Sequence, residues 1–102
     1  MAIAYKNENG KMYIVLSDNF DGIFGDKLLL FLETKIREIQ NLELDIEKIH
    51  YINSDGLESL INIYNMLVGL PDKRISFVKI SPKIKEVVEK IGLLNIIPCQ
   101  SK

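Results

Sequence analysis

The stretch that decides the fold is INSDGLESL, residues 52–60. Three small polar residues, Asn53, Ser54 and Asp55, stand directly before Gly56 and an apolar series with helical spacing. From Leu57 the apolar positions are Leu57, Leu60, Ile61, Tyr64, Leu67 and Val68, spaced i, i+3, i+4, i+7, i+10, i+11. That spacing predicts an amphipathic helix over 56–68, ended by Gly69 and Pro71. With Asp55 as its N-cap, Glu58 falls at the third helical position, and Asp-x-x-Glu approximates a capping box. Such a cap is worth about 1 kcal/mol, and its charge suits the positive end of the helix dipole. A helix start preceded by small polar residues is also a place where phosphate is welcome.

Working outward, Leu42-Glu43-Leu44-Asp45-Ile46 alternates apolar and polar, the pattern of a half-buried strand. Ile49, Tyr51 and Ile52 extend or follow it. Further upstream, Phe24, Leu28, Phe31, Leu32, Ile36 and Ile39 share one face, predicting a helix over 26–40 after a polar loop at 17–25. Asn9-Gly10 is a strong hairpin signal, because both central residues of a type I′ turn need positive φ. It joins strands over 2–6 and 11–16. Downstream, Arg74–Ile80 predicts a strand rich in β-branched residues. Ser81-Pro82 caps a helix over 82–91, closed by Gly92, and Ile96-Ile97 adds a last strand. The expected class is α/β: one domain over 1–102, with a mixed sheet of four to five strands, an N-terminal hairpin and three to four helices.

Composition narrows the function. The 102 residues are 47% hydrophobic, enough for a core, and carry a net charge of −1. No basic footprint for nucleic acid is present, and the lysines are scattered. The longest apolar run, Leu28–Leu32, is far below the roughly 18 residues of a membrane span. The N-terminus lacks the layout of a signal peptide. A single cysteine, Cys99, allows no intrachain disulfide and fits a reducing cytoplasm.

Signals of catalysis are few. One histidine, His50, and one cysteine exclude Cys/His zinc spacing. There is no nucleophile elbow and no phosphate-cradling glycine loop. Asp45 and Glu47, at alternate positions of a strand, would share a side as a carboxylate pair, although a solvated sheet edge accounts for them equally well. No cofactor or metal is expected, and the chain reads as a non-enzyme.

The segment LDIEKIHYINSDGLESLINIYNML, residues 44–67, resembles the central motif of STAS domains, the fold of anti-sigma factor antagonists and of the cytoplasmic tails of sulfate transporters. Leu44-Asp45-Ile46 matches the family's strand, and Asn53-Ser54-Asp55-Gly56-Leu57 falls on its Asp-Ser-Ser/Thr-Gly-Leu-like motif. ISFVKISPKIKEVVEKIGLLNII, residues 75–97, is similar to the family's closing strand and helix. The resemblance implies a regulatory module that binds an anti-sigma factor with kinase activity, or a related regulatory protein. In that family the kinase phosphorylates the Ser/Thr before the motif glycine, and the partners separate.

Here that position is Asp55, which has no hydroxyl, and Asn53 stands where the family usually has Asp. Asp55 is then either a crude permanent imitation of phosphate or a cap suited to a different partner, and Ser54 is a weaker acceptor. The resemblance assigns partner contact to Asn53, Ser54, Asp55 and Gly56. It extends along the outward helix face to Glu58, Ser59, Asn62 and Asn65, with Ile63 and Met66 beside it. Two other roles fit a STAS-like chain: a small subunit of a lipid-transport complex, and a sensor binding a nucleotide or lipid.

Overall fold

The computed structural model describes residues 3–99. Its elements run β1 (Ala4–Glu8), β2 (Lys11–Phe20), α1 (Gly22–Lys35), β3 (Asn41–Ile52), α2 (Ser54–Val68), β4 (Arg74–Ile80) and α3 (Pro82–Lys90). Short 3₁₀ turns follow α1 at Ile36–Glu38 and α3 at Leu93–Asn95. The hairpin turns where expected, with Asn9 at φ 53° and Gly10 at φ 88°. The sheet order is β1-β2-β3-β4, with β1 antiparallel to β2 and the remaining pairs parallel. Both crossovers advance one strand in the same direction. Their right-handedness therefore places α1 and α2 side by side on one face.

Between that face and the helices lies the core. Ile14, Leu16, Leu44 and Phe77 from the strands meet Leu28, Leu32, Leu60 and Ile63 from the helices, all fully buried. Two expectations about α1 are corrected here. β2 does not yield to a loop at residue 17 but runs to Phe20. It does so by slipping register against β3 at Val15/Ser17 and Asp18/Asn19, with Asp18 at φ 62°. The helix then starts at Gly22, not 26, and ends at Lys35.

At the C-terminus there is no strand at Ile96-Ile97. A 3₁₀ turn precedes it, and Phe77 N–H donates to the Pro98 carbonyl at 2.8 Å beside an isolated bridge to Cys99. The described sheet therefore has four strands.

Asp45 and Glu47 are not a pair. Asp45 is buried (4% exposed) while Glu47 is exposed, and β3 slips register against β4 between Leu44 and Asp45. Asp45 accepts two hydrogen bonds: from Tyr13 Oη at 2.5 Å and from Glu47 N at 3.2 Å. The bond to Asp45 is the main reason the Tyr13 hydroxyl is pushed up to about 12, with burial and then the Asp45 charge adding to it. A buried carboxylate is tolerable when hydrogen-bonded in this way.

Candidate functional site

Phe20 and Ile52 are register partners at the ends of the parallel strands β2 and β3. The two helices that follow therefore begin next to each other. Asp21 caps α1, its Oδ1 accepting from Phe24 N at 2.9 Å. Asn53 caps α2, its Oδ1 accepting from Gly56 N at 2.8 Å, and its carbonyl receives Leu57 N at 3.0 Å. This corrects the reading of Asp55 as the cap. The chain enters the helix two residues earlier, because extended Asn53 (φ −102°, ψ 179°) supplies an equally good acceptor. Asp55 is the second helical residue and exposed, and Glu58 lies beyond the capping-box position.

Glycines set the spacing of the two helices. A Cβ on Gly22 would come within 2.9 Å of Asp55 Cβ, and one on Gly25 within 2.1 Å of Ser59 Oγ. A Cβ on Gly56 would stand 2.2 Å from the Phe20 carbonyl oxygen. The motif glycine is thus required by close approach to the end of β2. Its helical φ makes no such demand.

Between the helix starts lies an open cleft of about 440 Å³. Asp21, Ile23 and Asp26 line it from α1, and Asp55, Glu58 and Asn62 from α2. Four carboxylates border it, and no cationic side chain does. Among the described residues no group of three or more His, Cys, Asp or Glu is arranged to hold a metal ion. No helix of the described residues is long and apolar enough to cross a membrane.

The structure brings together most of the residues singled out in the sequence. Asn53, Asp55, Glu58 and Asn62 line the cleft, whereas Ser54 is exposed but not among its lining residues. Ser59 and Gly56 are buried, so they act in packing and not in surface contact. Ser59 Oγ donates to the Asp55 carbonyl at 3.1 Å. Ile63, placed beside the outward face by the sequence reading, is fully buried, whereas Val68, assigned to the core, is 57% exposed. The helix is rolled because α1 packs against the Gly56–Ser59–Ile63 side, so the buried set is Leu60, Ile63 and Leu67. Met66 is half-buried and packs on the core. His50 is exposed on β3.

The α1 half of the cleft was missed in the sequence. Asp21 before an apolar-periodic series was the available signal, but Gly22 and Gly25 read as loop residues.

The chain belongs to the STAS domain family, whose profile matches residues 4–102. No curated protein matches it by sequence. Among solved structures it resembles the unphosphorylated anti-sigma factor antagonist SpoIIAA at TM-score 0.81 and 16% identity, covering 96% of this chain and 87% of that one. An anti-sigma factor antagonist from Mycobacterium paratuberculosis aligns at TM-score 0.81 and 17% identity, over 96% and 83%. The Bacillus cell fate determinant SpoIIAA in its phosphorylated form aligns at 0.76 and 16%, over 96% and 90%. At these identities the likeness is one of fold: a mixed four-stranded α/β sheet with an N-terminal hairpin.

Proposed function

We propose that this STAS domain is a regulatory binding protein of the anti-sigma-antagonist kind, acting in the bacterial cytoplasm on transcription. It engages a protein partner, an anti-sigma factor of the kinase type or a related regulator, through Asn53, Ser54, Asp55, Glu58, Asn62 and the half-buried Met66. The observation that carries this reading is the setting of Asp55. By the motif resemblance it falls at the family's phospho-acceptor position; it is exposed, and it is relieved of capping by Asn53. A single carboxylate lacks the −1.5 to −2 charge and three oxygens of a phosphate. Asp55 is therefore a fixed part of the recognition surface, which leaves binding outside the control of phosphorylation at that residue. The four carboxylates of the cleft oppose a nucleotide's phosphates, which weighs against a nucleotide sensor.

The test is calorimetry of the full chain against kinase-type anti-sigma factors of the same genome, with and without ATP. The expected result is binding that ATP does not abolish, with no phosphate on residue 55. Absence of binding to any of them overturns the proposal. Stoichiometric labelling at Ser54 would show instead that the switch has moved by one residue.

A further inference from the structure

The outer face of α1 carries two large apolar side chains that nothing in the described chain covers: Ile23, 72% exposed, and Leu30, 62% exposed. Seven residues apart, they lie on one stripe of the helix. Single exposed aliphatics are ordinary on a protein surface; the charges on either side of this stripe are what give it direction. Toward α2, Ile23 borders the cleft with Asp26, Asp55 and Glu58. On the other side it borders a second depression with Asn19, Asp21, Phe24 and Lys27, Asp21 lying between the two depressions. The face is thus an apolar crest with Asp26, Asp55 and Glu58 along one flank and Lys27 along the other, with Asp21 at the helix start bordering both.

We propose that this face is a self-association surface whose occupant is a second copy of the chain, paired α1 to α1 in parallel about a two-fold axis running along the helices. Symmetry selects this arrangement. In a parallel pair each flank meets the opposite flank of the other copy. Lys27 of each then approaches the Asp26, Asp55 and Glu58 side of the other, while Ile23 and Leu30 meet their own counterparts on the crest. In an antiparallel pair like flanks meet, carboxylates against carboxylates and Lys27 against Lys27, which is unfavourable. The α1 helix has 14 residues, about 21 Å of length. One face of it is smaller than the roughly 800 Å² per partner of a standard stable interface, so the association is weak and salt-sensitive. It also covers part of the cleft assigned above to a protein partner, so self-association and partner binding compete.

Sedimentation equilibrium on the full chain, from about 10 µM to about 1 mM, tests this in the range where small interfaces associate. The expected result is a rise toward dimer mass at low salt that recedes in high salt. Leu30→Glu and Lys27→Asp should each weaken it by about tenfold or more. Asp26→Lys combined with Lys27→Asp sets a lysine opposite the new carboxylate while Asp55 and Glu58 stay in place, and should recover part of the association lost in Lys27→Asp alone. All three positions are exposed, and thermal melts confirm folding of each variant. A monomer throughout the range overturns the proposal, as does a dimer indifferent to Leu30→Glu. Failure of the double variant to associate more tightly than Lys27→Asp alone overturns the parallel arrangement. None of these results depends on whether an anti-sigma factor binds.

Discussion

Gly25 of α1 packs directly against Ser59 of α2. A Cβ on Gly25 would stand 2.1 Å from Ser59 Oγ and 2.4 Å from Ser59 Cβ. In an exposed helix Gly→Ala is favourable by about 0.5–1 kcal/mol. Here the added methyl must separate two packed helices, and overpacking of this kind costs about 1–3 kcal/mol. Gly25→Ala is therefore expected to destabilise the protein on balance, read as a lower urea midpoint. Ser59→Gly in the same chain removes both clashing atoms and should recover part of the loss. An increase in stability for Gly25→Ala alone would show that the helices are not held this close.

The two polar residues at the start of α2 have different duties, and their alanine variants separate them. Asn53→Ala removes the acceptor for Gly56 N, and loss of such a cap costs about 1 kcal/mol. Asp55→Ala removes only a favourable charge–dipole contact, about 0.3–1 kcal/mol at low ionic strength and less in salt. Denaturation at low and high salt should show a salt-independent deficit for Asn53→Ala and a shrinking one for Asp55→Ala. Equal deficits that both persist in salt would return the capping role to Asp55.

A third prediction concerns Tyr13, whose hydroxyl is pushed up to about 12 by the bond to Asp45. The folded state holds this proton more tightly than the unfolded chain, where tyrosine titrates near 10. The contribution to stability is therefore fully present below about pH 10 and is lost as pH rises from about 10 toward 12. In a spectrophotometric titration one of the four tyrosines should ionise late, and Tyr13→Phe should delete that late phase. Tyr13→Phe also leaves buried Asp45 short of a donor, which should cost about 1–3 kcal/mol at neutral pH.

Much of this was legible in the sequence because it follows from short-range rules. Asn9-Gly10 fixes its turn by backbone sterics, and Ser81-Pro82 starts α3 with its cap and first residue side by side, Ile84 N donating to Ser81 Oγ. What escaped was set by contacts distant in the chain. Gly22 and Gly25 look like helix breakers until α2 is placed against them. Ser59 looks like surface until α1 covers it. Asp45 looks like a solvated partner of Glu47 until Tyr13, thirty-two residues away in the chain, is placed against it. Asn53 and Asp55 are equally good cap residues by type, and only the backbone path out of β3, extended at Asn53, sets Asn53 as the acceptor for Gly56 N.

The most informative substitution is Asp55→Ser. Since Asn53 holds the cap, stability should change by less than about 1 kcal/mol. The change removes one of four carboxylates at the cleft and installs the hydroxyl of the family pattern. If Asp55 imitated a permanent phosphate in a family where phosphorylation separates the partners, the serine variant would bind a kinase-type anti-sigma factor more tightly. If Asp55 is instead part of an acidic recognition surface, removing its charge slows association and weakens binding, most at low salt. The second outcome is expected: affinity lower by about tenfold at low ionic strength, roughly 1.4 kcal/mol, with the gap closing as salt screens the surface. The serine variant should also become a phosphate acceptor at residue 55, which the native chain is not. Calorimetry on both proteins across a salt series, with a phosphorylation assay alongside, reads both effects. Tighter binding by the serine variant at every salt concentration would reject the recognition role and leave Asp55 as a phosphate imitation.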